Sequence, residues 1–347
     1  MGMSVAVGAL RRGSLNRWGM ILVAVLIVLA GAWTALWFYA ASQAQAEADA
    51  WLAREASLGR RWTCPDRQIS GYPFTMQLTC TGPHYAGRDG EGSVVAFRAH
   101  AEVWSPARIT AEADGPLVLQ SADGTRHVQA NWAAASIVLS GSPSALQSAQ
   151  IELDQPDIGL TASNVETSVK AEHALFDLQP SETSDAEDRI FDLHLKLDNA
   201  ALPLIDPFTG NDAPVNFEAQ ATINALDLGG KGTPPERLEA WRSNDGAVQI
   251  DDLVFSKGTM KLAAQGRLAL DPEHRPSGKI DLSMIGMEPL MTAFHVPAQI
   301  LSVTALLGGK PVGHLTGEGK SLNVTLKLAD GEVAVGPLKV SRLRPLY

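Results

Sequence analysis

The sequence has little of what catalysis or metal binding requires. It contains two cysteines, Cys64 and Cys80, in 347 residues, and its eight histidines are scattered. None of the histidines belongs to a His-Glu-x-x-His motif or to an i, i+4 pair on a helix face. A phosphate loop is excluded because His314 stands where its first glycine is required, and no Gly-x-Ser-x-Gly motif occurs. We therefore expect no enzyme activity, with no catalytic residue, no metal site and no cofactor.

Positive charge is also scarce, since 28 Lys and Arg residues stand against 38 Asp and Glu residues. Three of the basic residues lie in the first seventeen positions, where there is no acidic one, so the rest of the chain carries 25 basic and 38 acidic side chains. An acidic surface has no long-range attraction for phosphate backbones. Nucleic acid is therefore not an expected partner.

No charged residue lies between Trp18 and Ala46. The mainly apolar stretch from Gly19 to Ala40 is long enough, at about 1.5 Å per residue, to cross a hydrocarbon core of roughly 30 Å. Arginines precede the stretch and the first charges after it are acidic, which places the N-terminus in the cytoplasm. A cleaved secretory signal is the alternative. We predict four parts: a cytoplasmic N-terminus (1–17), a transmembrane signal anchor (18–40), a helical stalk (41–60) and an exported β-rich domain (61–347).

The two cysteines enclose fifteen residues, and an exported domain lies in an oxidising compartment. We expect a Cys64–Cys80 disulfide, which is worth about 3 kcal/mol for a loop of this size in the chain-entropy model. Inside the loop, Gly71 permits unusual backbone angles and Pro73 restricts them, so Tyr72 and Phe74 are expected in a defined turn. The alternative is a pair of buried free thiols.

Apolar and polar residues alternate along most of the chain after Cys64, the pattern of antiparallel strands with one apolar face. The clearest segment is 191–199, FDLHLKLDN. The alternating segments are separated by turn signals such as ADGP, LDQPD and ADGE. We expect a mainly β fold: an elongated, curved antiparallel sheet that follows the transmembrane helix, with a few packed helices. The sequence leaves open whether the sheet forms a groove or a filled sandwich.

Three further elements stand out between the strands. Residues 266–286 predict a hairpin, and residues 233–246 predict a helix capped by Thr233 with prolines in its first turn. Residues 287–309 are apolar over 23 positions but contain Glu288, His295 and internal prolines. A helix packed on the sheet is favoured there over a second span.

The cysteine pair and the turn between its members resemble an uncharacterised family of Gram-negative exported proteins, domain of unknown function 2125. The resemblance extends over nearly the whole chain and implies an inner-membrane span with a periplasmic domain. The family has no established activity. The residues that carry the resemblance are Trp62, Cys64, Gly71, Tyr72, Pro73, Phe74 and Cys80.

The C-terminal segment 328–347, with its Asp-Gly turn, strand and Gly-Pro, is similar to the closing segment of AsmA-like envelope proteins. Those proteins are implicated in outer-membrane homeostasis and phospholipid transport. The resemblance implies binding of a lipid or another apolar ligand, because an apolar groove stabilises acyl chains by roughly 0.8 kcal/mol per buried methylene. The alternative is a structural or assembly factor that binds other envelope proteins and no lipid.

Overall fold

The structure is a computed structural model that describes residues 17–142, 145–162, 165–182, 189–228, 233–287, 311–313 and 321–347. Over these ranges the chain is mainly β, with two antiparallel sheets behind one long N-terminal helix. The predicted fold class is confirmed. The helix predicted at 287–309 lies outside the described residues, apart from its first position.

Helix α1 runs without a break from Arg17 to Ser57 and so joins the predicted span to the predicted stalk. Among the described residues it is the one helix long and apolar enough to cross a membrane. It ends two residues before Gly59, whose φ of +80° suits glycine. The other described helices are α2 (Asp206–Thr209) and α3 (Pro234–Ser243). Thr233 caps α3 in a capping box, as its sequence predicts.

The long sheet has fifteen strands within the described ranges, and their order in the sheet follows their order in the chain. They are β2 (Gln68–Ser70), β3 (Thr75–Thr81), β6 (Ala96–Glu102), β7 (Ser105–Asp114), β10 (Ala134–Ser142), β11 (Ala145–Asp154), β14 (His173–Pro180), β15 (Phe191–Ala200), β16 (Val215–Ile223), β17 (Ala247–Lys257), β18 (Met260–Leu270), β19 (Pro276–Ile285), β20 (Leu322–Ala329), β21 (Glu332–Val335) and β22 (Leu338–Arg342).

The short sheet has seven strands within the same ranges, again in chain order. They are β1 (Arg61–Thr63), β4 (His84–Gly87), β5 (Gly90–Ser93), β8 (Leu117–Ser121), β9 (Arg126–Asn131), β12 (Asp157–Ala162) and β13 (Val165–Lys170).

The chain crosses between the two sheets along a line of residue pairs that we call the fold line. The pairs are 82–83, 94–95, 115–116, 132–133, 155–156 and 171–172. Backbone hydrogen bonds continue through this line, for example from the Gly82 N–H to the Val95 carbonyl and from the Gln155 N–H to the Glu172 carbonyl. The two sheets are therefore one hydrogen-bonded sheet folded over on itself. The predicted turns ADGP and LDQPD lie at fold-line crossings and do not close hairpins.

Proline explains where the outward crossings occur. Pro83, Pro116 and Pro156 each lie where the chain passes from the long sheet into the short sheet. Pro83 and Pro116 follow glycine, and Pro156 follows Gln155, whose φ is +49°. A proline has no N–H to donate and therefore interrupts the ladder of a straight strand. The chain bends at these points and its partner strand bends with it.

One face of the long sheet is apolar along nearly its whole length. A single row of directly paired side chains crosses thirteen consecutive strands, and strands spaced about 4.8 Å apart make such a row about 58 Å long. We call this side the apolar face. The row consists of Ile69, Leu78, Ala99, Ala111, Ile137, Ile151, Phe176, Leu195, Ala219, Leu253, Ala264, Leu282 and Val324.

The short sheet covers the apolar face over its first strands, and its own facing side is apolar too. Leu119, Val128 and Leu160 are paired across strands β8, β9 and β12 on that side. On β15 and β16 the outer face of the long sheet is polar and carries cross-strand pairs such as His194 with Glu218, 3.0 Å apart. On β18 and β19 the same face is covered, because Ala263 and Ser283 are buried there and the Val312 N–H donates to Ser283 Oγ at 2.7 Å.

Beyond the short sheet, residues 201–214 cover the end of strands β15 to β18. Lys257 is fully buried there, and its Nζ donates to Asp206 Oδ1 at 2.7 Å and to the Ala213 carbonyl at 2.6 Å. Val215 and Met260 pair with Lys257 across the sheet and are each 1% exposed. This buried ion pair fastens the covering segment to the sheet.

Candidate functional site

The candidate site is a cavity of about 420 Å³ at the first strands of the fold. Three elements enclose it: the stalk part of α1, the short sheet and the start of the long sheet. Ligand pockets in proteins typically measure about 300 to 1,000 Å³ and are mainly apolar, so the cavity has the size and lining of a binding site. Its apolar lining includes Trp51, Leu52, Trp62, Leu78, Tyr85, Phe97, Leu117 and Leu119.

Aromatic rings close the α1 side of the cavity. The centroids of Trp51 and Trp62 are 5.9 Å apart, and those of Trp62 and Tyr85 are 4.7 Å apart. Trp51 comes from the helix, while Trp62 and Tyr85 are cross-strand partners in β1 and β4. The ring contacts hold α1 over the mouth as a cover.

The predicted disulfide is present and forms part of the cavity wall. Cys64 and Cys80 are bonded, with Cα atoms 5.7 Å apart, and Cys80 is 5% exposed. The bond links the segment before β2 to the last residues of β3. The described residues include no free cysteine.

One charged side chain, Arg67, lies among the described residues that line the cavity. Its Nη2 is 2.5 Å from Oδ1 of Asp49 on α1, and this pair connects the helix to the strands beneath it. Nearby, Arg60 donates two hydrogen bonds to Glu55, which lowers the pKa of that carboxyl below its usual value. The charges near the cavity are thus paired between α1 and the start of the domain.

The Gly71–Phe74 turn joins β2 to β3 and contacts the helix instead of the cavity. Trp33 Nε1 donates to the Pro73 carbonyl at 3.0 Å, and Trp37 Nε1 donates to the Thr75 carbonyl at 3.1 Å. Trp37 is 5% exposed. The helix therefore lies against the domain from Trp33 onward and does not stand clear of it.

Gly71 is required at this turn by its backbone. Its φ is +102°, and a Cβ at that position would lie 2.5 Å from Thr75 Oγ1 and 2.7 Å from the Thr75 carbonyl oxygen. Thr75 also donates from its N–H and its hydroxyl to the Gly71 carbonyl. The family residues Gly71 to Phe74 thus form this turn. The side chains of Tyr72 and Phe74 are 49% and 57% exposed.

The apolar groove continues past the cavity between the two sheets. Ile109 and Ile151 of the long sheet and Leu119 and Leu160 of the short sheet are each between 36% and 41% exposed. These side chains share the facing sides of the two sheets. The side chains that the structure describes therefore do not fill this part of the groove.

Two other places are less suited to a ligand. Glu152, Asp154 and His173 lie within 4.8 Å of one another on the outer face, as the one such group among the described residues, but they are partly exposed and His173 already bonds Glu152 at 2.9 Å. A cavity of about 500 Å³ beside α3 is lined by apolar residues and by charged ones that already have partners: Arg189 pairs with Asp227 at 3.8 Å, and Arg237 donates to the Asp227 carbonyl at 2.9 Å.

Sequence reasoning did not identify the cavity, although it did select Trp62, Cys64 and Cys80 in its wall. The lining residues belong to five separate segments, 48–52, 62–67, 78–85, 92–97 and 117–119, that only the folded sheet brings together. One available signal was the recurrence of Pro83, Pro116 and Pro156 at spacings of 33 and 40 residues. Prolines at such spacings, each between alternating segments, indicate repeated bends in a sheet.

Comparison with known proteins shows the family to which the chain belongs. No curated protein matches the chain, and no solved structure matches it. The AsmA-like resemblance of residues 328–347 is not among the findings and stays a prediction. A family model does match, over residues 37–344. The chain therefore belongs to the family described as "Uncharacterized protein conserved in bacteria (DUF2125)".

Proposed function

We propose that the protein is a membrane-anchored, non-enzymatic binding protein that holds the acyl part of a lipid in the cavity beneath α1. The observation that carries this proposal is the cavity itself, which has an apolar lining and a single charged residue among its described lining residues, Arg67. Burying ten methylenes contributes about 8 kcal/mol before the cost of ordering the ligand is subtracted. An acyl chain is therefore the class of ligand that this lining favours.

Arg67 supports an amphipathic ligand over a purely apolar one. Its side chain is 23% exposed and faces Asp49, which is 63% exposed. A ligand phosphate or carboxylate can replace Asp49 as the guanidinium's partner, because Arg binds both groups in a bidentate manner. A phospholipid or fatty acid has this combination of an apolar chain and an anionic group.

The anchor belongs to the same proposal. The uncharged stretch of α1, the preceding arginines and the disulfide support a single inner-membrane span and a periplasmic domain. Residues 40–46, AASQAQA, are where a signal peptidase would cut, and cleavage there would remove Trp37, whose ring is buried against the domain and donates to the Thr75 carbonyl. The helix therefore serves as a permanent anchor. Lipid handling in envelope or outer-membrane maintenance is the role that suits this placement.

An assembly factor that binds other envelope proteins is the second candidate, and one observation favours it. All five residues of β22, Leu338–Arg342, are exposed at the end of the long sheet. An exposed edge strand is a template for a partner's strand. This candidate requires a protein partner and no lipid.

The test is native mass spectrometry with lipid extraction on the full chain, purified in mild detergent. We expect near-stoichiometric phospholipid or fatty acid on the wild type and its loss in Leu119→Lys, where a charge enters the cavity. Val254→Lys is the matched control, because Val254 is 37% exposed on the outer face and Leu119 is 41% exposed. Lipid-free wild type, or equal lipid on both variants, would exclude the cavity as the site and direct attention to β22.

A further inference from the structure

The aromatic residues at the rim of the long sheet lie beside the membrane-spanning part of α1. We call Tyr72, Phe74 and Trp104 the rim aromatics; they are 49%, 57% and 65% exposed. They belong to two adjacent turns that are hydrogen-bonded to each other, from the Val103 N–H to the Phe74 carbonyl at 3.0 Å. The rings of Phe74 and Trp104 are 6.1 Å apart. Three exposed aromatic side chains thus form one surface patch.

The contacts between α1 and the first of these turns set the height of the patch along the helix. Trp33 donates to the Pro73 carbonyl in the turn, Trp37 donates to the Thr75 carbonyl at the start of β3, and Thr34 Oγ1 is 2.7 Å from the Tyr72 hydroxyl. Phe38 stacks on Tyr72 with ring centroids 6.1 Å apart and an angle of 18° between the planes. The patch is therefore level with residues 33–38 of the helix.

The part of α1 that makes no contact with the domain, residues 18–32, is too short to span the hydrocarbon core by itself. Residues 18–32 are all exposed, and fifteen residues extend about 22 Å. A hydrocarbon core of about 30 Å that begins at Trp18 reaches about as far as Trp37. The outer boundary of the membrane then coincides with the helix turns that hold Tyr72.

From this coincidence we propose that the rim aromatics lie in the outer interface of the same bilayer that α1 spans. Tryptophan and tyrosine are suited to this region because each ring has an apolar body and one polar group, and Phe74 adds apolar area beside them. Glu102, two residues before Trp104, is exposed and charged, so it must stay among the hydrated headgroups. The patch therefore lies at the boundary between headgroups and acyl chains and no deeper. The partner of this surface is the lipid bilayer.

The placement brings the cavity close to the membrane. Leu78, in the cavity lining, is three residues along β3 from Thr75, a distance of about 10 Å. An acyl chain that leaves the outer leaflet at the rim therefore has a short path to the cavity. The inference rests on the anchor part of the proposed function and does not require that the cavity binds lipid.

The experiment is fluorescence quenching by doxyl-labelled phospholipids on the full chain in phosphatidylcholine nanodiscs. Each sample carries a single NBD label on an introduced cysteine, and the native disulfide stays intact. One variant is Trp104→Cys, in the patch itself. The other is Ser70→Cys, which keeps all three rim aromatics. Val95→Cys is the matched control, because Val95 is 50% exposed at the fold-line end of β6, the same strand that leads to Trp104. Leu26→Cys reports insertion of the span.

We expect a shallow, 5-doxyl lipid to quench the labels at positions 70 and 104 at least threefold more than the label at 95. Quenching of the Leu26 label with no difference between the rim and position 95 would overturn the inference while leaving the anchor in place. An unquenched Leu26 label would overturn both the anchor and the inference that depends on it.

Discussion

The two halves of the long sheet carry the same alternation and bury their apolar face differently. In the first half, β3 to β14, the strands continue through the fold line into the short sheet, which covers the face from above. In the second half, β15 to β20, the strands stop at the same line, and residues 201–214 cover their ends. The apolar pattern alone therefore does not decide how a sheet is covered.

The difference lies in the residues at the end of each strand. The strands that fold over end in Gly82-Pro83, Gly115-Pro116 or Gln155-Pro156, with two residues between one sheet and the next. β15 instead ends at Ala200 and is followed by a segment that returns Asp206 to the sheet edge. Two-residue links, half of them containing proline, continue the sheet through the fold line, whereas the longer link after β15 produces a fastened cover.

The largest effect should come from the fastened cover in the second half. Asp206→Ala leaves the ammonium of Lys257 fully buried with one carbonyl partner, and such a loss costs about 3 to 5 kcal/mol. Denaturant unfolding of the full chain in detergent measures the loss, and hydrogen exchange should localise it to β15–β18. Asp212→Ala, an exposed acidic residue in the same segment, is the control. Equal stabilities of the two variants would show that the pair does not fasten the cover.

In the first half, the disulfide should have the next largest effect. Cys64→Ser, Cys80→Ser and the double substitution should each lower the free energy of unfolding by about 3 kcal/mol, because all three open the same loop. The increase in hydrogen exchange should be confined to β2, β3 and the cavity wall. Wild type that is unaffected by reductant would contradict this prediction.

A smaller effect is expected at the rim turn. Gly71→Ala should destabilise the protein by about 1 to 3 kcal/mol, because φ is +102° and the new Cβ meets Thr75. Gly59→Ala is a matched control with φ of +80° and no atom within 4 Å of its Cβ, so it isolates backbone strain. Thermal unfolding of both variants should show the larger loss for Gly71→Ala. Equal losses would mean that contact with Thr75 contributes nothing.

The smallest effect concerns the C-terminus in the second half. Arg242 holds the pKa of Glu239 at about 2, and the same carboxylate accepts a hydrogen bond from the Tyr347 hydroxyl at 3.0 Å. Because the folded pKa lies below the ordinary value of 4.5, this stabilisation is present above about pH 4.5 and lost as pH falls toward 2. The Tyr347 ring packs on His274, and the Leu346 N–H donates to the His274 carbonyl. Backbone amide hydrogen exchange at these positions should therefore show less protection as the pH falls from 4.5 toward 2. Glu239→Gln should remove the pH dependence.

Individual strands were predictable because alternation is a local property. The segment 191–199 became β15, residues 266–286 became the β18–β19 hairpin, and Thr233 capped α3. Gly-Pro and Gln-Pro pairs were interpreted as turns, since both a turn and a fold-line crossing need a break in the ladder. What distinguishes them is the sheet in which the next strand finds its partner, and that is not a local property.

The long apolar helix, the antiparallel strands with one apolar face and the fifteen-residue disulfide loop follow from the amino-acid sequence, because each depends on residues close together in the chain. The folding of the sheet, the cavity closed by Trp51 and Trp62, and the contact of Trp33 and Trp37 with the Gly71–Phe74 turn are established only in the folded protein. The contacts of Trp33 and Trp37 join residues 40 and 38 positions apart, and the cavity that Trp51 and Trp62 close is lined from β8 as well. Their formation depends on which strands pair, and strand pairing minimises exposed apolar area over the whole sheet.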